Sequence, residues 1–182
     1  MDHGWRAPSR ARERCGRPRR ASSGDPDQPH CGAGYRKRGP CVRYWDTSAL
    51  VPLFVAEPTT DAMRSWLRED GVIVTWAWTK VEIVSAVERR TRDGDLTRAQ
   101  RRSVMGRLDE FSESWHEVVE MLAVRSRASS MLARHSLRAA DAAQLGAAVH
   151  VQEQIGVPLQ LVVLDRRLAE AAEREGLAVV SA

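Results

Sequence analysis

Lysine is nearly missing from this chain. Lys37 and Lys80 are the only two among 28 basic residues, and the rest are arginine. That bias is read as the mark of a GC-rich genome rather than of a chemistry. Cysteine is confined to Cys15, Cys31 and Cys41, all in the first quarter of the sequence. They show no CxxC spacing and no paired histidines, which excludes a zinc module and a disulfide framework and leaves a reducing cytoplasm as the expected compartment. The most sustained apolar run, around Leu50 to Ala56, falls far short of the ~20 residues a membrane-spanning helix needs. There is no glycine-rich phosphate loop. Ser129 and Ser130 have no partnered base, so serine hydrolysis has no support. His116, His135 and His150 are scattered without ligand spacing and read as surface or satisfied core histidines. What is there is 182 residues, 43% hydrophobic and 29% charged, the size and composition of one globular domain with room for a tail.

Charge divides the chain. Residues 1–40 hold ten basic residues against four acidic ones, and the remainder holds eighteen against twenty. The net charge of +4 therefore belongs to the tail, and the mildly acidic body does not fit the simple picture of a basic nucleic-acid-binding domain. The tail also carries five of the eight prolines and six of the twelve glycines, so residues 1–41 are expected to be a disordered basic extension. It is not a signal peptide, because a polar stretch follows Arg19-Arg20 where an apolar segment would be needed. Two readings stay open: an arginine-rich arm that touches nucleic acid, or an upstream extension of a protein that really starts near Val42.

From Val42 onward strands and helices alternate. The pattern predicts strands at Val42–Trp45, Val72–Thr75, Trp115–Met121, Leu159–Leu164 and Leu177–Val180. Helices are predicted at Leu50–Ala56, Thr60–Leu67, 78–92, Thr97–Phe111, 122–134, 138–155 and 166–175, with Thr97 as an N-cap and Gly156 and Gly176 as stops. Strands separated by helices imply crossover connections and a mainly parallel sheet flanked by helices, an α/β fold of about 140 residues.

Four acids stand where such a fold does chemistry. Ligands of open α/β sheets bind beyond the carboxyl ends of the strands. Asp46 and Asp165 each end a strand there, although each is also a fitting N-cap for the helix that follows. Glu82 lies beside the apolar stripe Trp78, Val81, Val84, Ser85 and Val87, and its plain reading is a solvated partner of Arg89 or Arg90. Asp141 shares a helical face with Leu145 and Ala148, where a carboxylate is costly without a charge or donors. A first-turn role beside the helix dipole and a metal role stand level for it. Carboxylates converging without histidine make a hard-oxygen site suited to Mg²⁺ or Mn²⁺. A cation so held activates water and neutralises charge on a phosphoryl oxygen, which makes phosphodiester hydrolysis the natural reaction.

Asp46-Thr-Ser-Ala-Leu50, Glu82 within Thr79 to Glu88, Asp141 within Leu137 to Ala148, and Val163-Leu-Asp165 continuing to Ala172 together resemble a PIN-domain nuclease, in particular the VapC-type toxins of bacterial toxin–antitoxin pairs. The resemblance covers 42–182. It implies a PIN-like three-layer fold and a Mg²⁺- or Mn²⁺-dependent ribonuclease site lined by Asp46, Glu82, Asp141 and Asp165. Asp46 and Asp141 would be direct ligands, and Glu82 and Asp165 would complete the site directly or through water. Ser48 would support the site by hydrogen bonding, and so would Thr47 unless it caps the helix. It further implies an RNA substrate, a homodimer and a small antitoxin whose tail lies across the groove. The extension at 1–41 departs from the family pattern.

Rival chemistries fit less well. A dehalogenase-like phosphatase needs a second Asp two residues after the first, where this chain has Ser48. A receiver domain needs a late lysine, and Lys80 is misplaced for it. A catalytically inactive module of the same fold that binds a partner protein stays open as the alternative. Trp76 and Trp78 could stack on bases, but packing at a strand–helix junction is the expectation. Arg138, Arg166 and Arg167 flank the acids, for phosphate, antitoxin or solvent.

Overall fold

In the computed structural model, which describes residues 42–181, short strands alternate with helices. The expected extension at 1–41 lies outside the described residues. Strand β1 (Val42–Trp45) leads into α1 (Thr47–Phe54) and α2 (Thr60–Asp70). Strand β2 (Val74–Trp76) leads into α3 (Thr79–Arg92) and α4 (Arg98–Ser112). Strand β3 (His116–Val118) precedes α5 (Met121–Arg134) and α6 (Ala139–Ile155), and β4 (Leu159–Val162) precedes α7 (Arg166–Arg174) and β5 (Ala178–Val180).

The strands form one sheet in the order β3-β2-β1-β4-β5, and every pairing is parallel. The chain thus steps outward from β1 to β3, then returns to the other side of β1 for β4 and β5. Right-handed crossovers in opposite directions place their helices on opposite faces. The two cores record this. Trp45 and Val162 pack with Leu50, Phe54, Met63, Ile83 and Leu108 from the first four helices. Tyr44 and Leu161 pack with Val124, Met131, Leu145 and Leu168 from the last three. Neighbouring residues of one strand feed different cores because successive side chains point to opposite faces. The result is the three-layer α/β fold expected, with a sheet buried on both sides.

Local chemistry sets the ends of the elements. Thr97 caps α4, and Gln100 bonds back to the Thr97 amide at 2.9 Å, closing a capping box. The small residues of α6 let it lie against α5: a Cβ on Gly146 would stand 3.1 Å from the Ala128 nitrogen and the Val124 oxygen. Several expected boundaries move, among them the strand expected at Val72–Thr75, which lies at Val74–Trp76, and the helix expected to stop at Leu67, which runs to Asp70. The first helix begins at Thr47, not Leu50, because Asp46 caps it. The strand expected over Trp115–Met121 shrinks to His116–Val118, since Glu120 already flanks α5 and its carboxylate takes the Val119 amide. Strand β4 ends at Val162, so Val163 and Leu164 carry the chain on to Asp165.

Candidate active site

Strands β1 and β4 lie side by side, and the connections that follow them run to opposite faces. Such a switch point opens a crevice beyond the carboxyl ends of the strands. A cavity of about 900 Å³ lies here, and Asp46, Glu82, Asp141 and Asp165 all line it. The structure brings together all four acids singled out in the sequence, each from a different helix or its cap.

Asp46 follows β1 directly, and its amide bonds to the Val162 carbonyl of β4 at 3.0 Å. Its Oδ2 accepts from the Ser48 amide at 2.8 Å and the Ser48 hydroxyl at 2.5 Å. The side chain is buried. Burial pushes its pKa from 3.8 up to about 6; the Ser48 bonds pull the other way, and the charges of Glu82 and Asp141 push it higher. The Ser48 oxygen also accepts from the Leu164 and Asp165 amides at 2.9 and 3.3 Å. One hydroxyl therefore ties the end of β1 to the loop that carries Asp165.

Asp165 caps α7, its Oδ1 accepting from the Leu168 amide at 2.9 Å. Asp141 sits in the first turn of α6, its Oδ2 accepting from the Arg138 amide at 3.3 Å. Partial burial raises the Asp141 pKa; the Arg138 amide bond opposes this, Asp165 adds to it, and the charges of Arg138 and Arg167 counter it.

Glu82 departs from the plain reading. Arg90 pairs with Glu57 instead. The Glu82 Oε2 accepts from the Thr47 hydroxyl and, at 2.7 Å, from the Gln144 amide. Thr47 caps nothing, since Asp46 has that role. Of the expected stripe, Val87 is buried and Val84 packs against the core, but the other buried residues of α3, Thr79 and Ile83, lie outside it. Trp78, Val81, Glu82 and Ser85 instead form a wall of the cavity. Trp76 is buried as expected, but Trp78 is half exposed on that wall.

The sequence reading missed Gln144 and Tyr44. Both are buried, and the tyrosine hydroxyl donates to Gln144 Oε1 at 2.8 Å. The one available signal was an amide alone on the alanine-rich face of α6, a turn beyond Asp141. The three histidines of the sequence reading stand apart from the cavity: His135 meets Glu175 at 2.6 Å, and His150 lies 4.0 Å from Glu120. Among the described residues no group of three or more His, Cys, Asp or Glu side chains stands close enough together to hold a metal ion as placed.

A carboxylate has two oxygens, and each of these four uses one on its own chain. Asp46 Oδ1, Glu82 Oε1, Asp141 Oδ1 and Asp165 Oδ2 have no hydrogen-bond partner among the described residues.

Residues 43–181 match the PIN domain family. The chain is similar to Ribonuclease VapC35 of Mycobacterium tuberculosis (strain ATCC 25618 / H37Rv), with 35% identity over 76% of this chain and 95% of that protein. It is similar to Ribonuclease VapC46 of the same strain at 31% identity, with the same shares covered. Ribonuclease VapC47 (strain CDC 1551 / Oshkosh) matches at 27% identity, again over 76% of this chain and 95% of the relative. With the family matched across the whole of the described sheet and its helices, this chain belongs to the PIN-domain family.

Proposed function

We propose that this chain is a ribonuclease that hydrolyses RNA phosphodiester bonds with Mg²⁺ or Mn²⁺ and acts as the toxin of a toxin–antitoxin pair. The observation that carries this reading is the set of four carboxylates, each anchored by one oxygen and open at the other, around one cavity. The donor set is all oxygen and anionic, which fits a hard divalent cation. The raised proton affinity of Asp46 comes first from burial, and the charges of Glu82 and Asp141 add to it, which a bound cation would offset. In this reading Asp46 and Asp141 are direct ligands, and Glu82 and Asp165 bind directly or through water. When bound, the metal supplies an activated water and neutralises charge on the phosphoryl oxygen.

The chain's own residues do the positioning. Ser48 fixes the anchored oxygen of Asp46 relative to the Asp165 loop. Thr47 and Gln144 hold Glu82. The cavity repels a phosphate on charge alone, so cationic contact comes from its edge. Arg89 lines it without a side-chain partner among the described residues, and Arg138 and Arg167 act on Asp141. The exposed face of Trp78 offers a base a stacking surface.

Residues 42–182 make up the nuclease domain in this reading, and 1–41 an extension outside it. The working assembly is a homodimer held in check by a small antitoxin whose tail crosses the groove. Its place of action is the cytoplasm; among the described residues no helix is long and apolar enough to cross a membrane. The test is RNA cleavage by the antitoxin-free chain with Mg²⁺ or Mn²⁺, with EDTA, and with Asp46→Asn. Metal-dependent cleavage lost in the variant is expected. Folded protein that cuts no cellular RNA with either metal would overturn the reading.

A further inference from the structure

We propose that Gln144 is a positioning residue for the cation site: it turns one oxygen of Glu82 toward the protein and keeps the other for the metal, without neutralising the carboxylate. The proposal rests on the metal-dependent reading above and concerns a cavity-lining residue whose amide is spent on protein partners.

Counting protons gives the network a direction. Gln144 is 1% exposed, so its amide must find partners inside the protein or impose a desolvation cost. Tyr44 has one hydroxyl proton and gives it to Gln144 Oε1 at 2.8 Å. Burial holds the tyrosine in its protonated form, with the Asp46 and Glu82 charges adding to the effect. Gln144 Oε1 therefore faces β1, and its Nε2 faces the other way. There its two protons face three acceptors, Glu82 Oε2 at 2.7 Å, Thr47 Oγ1 at 2.9 Å and Thr79 Oγ1 at 3.0 Å, so one N–H is shared between two of them.

Both threonines are left as acceptors. Thr75 gives its proton to the Trp45 carbonyl at 2.8 Å, so Thr79 must donate across the 2.8 Å contact to Thr75. Thr47 gives its proton to Glu82. Every donor in the cluster is thereby committed, and two of them end on the same carboxylate oxygen. Glu82 Oε1 has no protein donor among the described residues.

The chemical type of residue 144 matters as much as its place. An arginine or lysine could hold Glu82 as firmly, but it would cancel the charge that attracts the cation. A leucine would strand the Tyr44 hydroxyl. A glutamine locked by tyrosine is neutral, two-sided and unable to flip without losing partners at both ends.

The test measures Mn²⁺ affinity by electron paramagnetic resonance on the full, antitoxin-free chain, a readout independent of RNA cleavage. Gln144→Met, which keeps the length and loses the amide, is expected to raise the Mn²⁺ Kd ~10- to 100-fold, the usual effect of removing a group that orients a ligand. In a Glu82→Gln background the same change is expected to move Kd by less than about twofold, because the two residues act as one unit. An unchanged Kd in folded Gln144→Met, or an equal loss in both backgrounds, overturns the proposal and leaves Gln144 a core amide. If Gln144→Met does not fold, the pair Tyr44→Phe/Gln144→Met removes donor and acceptor together and carries the same comparison. Wild-type protein that binds no Mn²⁺ overturns the metal reading and this proposal with it. Wild-type binding that is indifferent to residue 144 overturns this proposal alone.

Discussion

Asp46 should weaken the fold that it serves. Its native pKa is about 6 against an ordinary 3.8, so the folded protein binds the Asp46 proton more tightly than the unfolded chain does. Stability from this group is therefore complete below about pH 4, falls as pH rises through about 6, and stays low above that. A gap of about two pKa units corresponds to ~3 kcal/mol at neutral pH, at ~1.4 kcal/mol for each tenfold change in proton affinity. Asp46→Asn removes the charge but keeps an oxygen for both Ser48 donors. In EDTA at pH 7.5 the variant should be more stable by up to ~3 kcal/mol, a rise in Tm of about 10 °C for a domain of this size. The assay is thermal unfolding of both proteins between pH 4 and 8, with EDTA and with saturating Mn²⁺. In EDTA the two curves should meet near pH 4 and separate through pH 6. With Mn²⁺ the wild type should gain most of the difference back, and the variant little, because binding to the native state alone adds stability. Parallel curves at all pH values, or a less stable variant at pH 7.5 in EDTA, would refute the claim that this carboxylate is buried among like charges.

Ser48→Ala leaves the Leu164 and Asp165 amides without their acceptor and should cost ~1–3 kcal/mol in denaturant unfolding. It also removes the hydroxyl bond that lowers the Asp46 pKa, while the residue 48 amide bond stays, so the acidic limb of the pH–rate profile should move to higher pH; an unmoved limb would count against the coupling. Trp78→Ala should raise the KM for RNA ~5- to 100-fold, the value of one stacked base, with Tm unchanged because the ring is half exposed; Trp78→Phe should recover most of the loss. Gly146→Val places new atoms against the α5 backbone, where even a Cβ stands at 3.1 Å. It should destabilise by ~1–3 kcal/mol in chemical denaturation, and a stabilised variant would contradict the close approach of α5 and α6.

The order of elements can be read from the sequence because buried parallel strands are short apolar runs between helical stretches, as Leu159–Val162 shows. The four acids were visible for a related reason. Each stands at a helix start that the sheet topology gathers to one edge, as with Asp46 after β1 and Asp165 after β4. For these residues cap and ligand looked like competing roles, and the geometry removes the competition. A capping carboxylate needs one oxygen for the helix, as Asp165 Oδ1 does for Leu168, and the other is free to serve the cavity. Helix-end bonding is thus how the fold fixes the direction of Asp46, Asp141 and Asp165, whereas Glu82 is aimed by Thr47 and Gln144 from other elements.

Periodicity carries no such information about depth or phase. The stripe of α3 was expected to include Trp78 and Val81 beside Val87, yet only Val87 of these packs inward, together with Thr79 and Ile83. An apolar ring beside a cavity and an apolar ring in a core have the same spacing, and only the tertiary arrangement separates them. Gln144 escaped for the converse reason. A polar residue on a helix reads as a solvent-facing one, but α6 is enclosed by α5, α7 and the sheet, with buried residues from Ala142 through Ala148. In such a helix a polar side chain persists only where partners from other elements satisfy it. For Gln144 those partners come from β1, α1 and α3, separated from it by 62 to 100 positions in the sequence. No local pattern encodes contacts that distant. The acids could be found from where helices begin, whereas the amide that aims one of them exists as a functional element only in the folded protein.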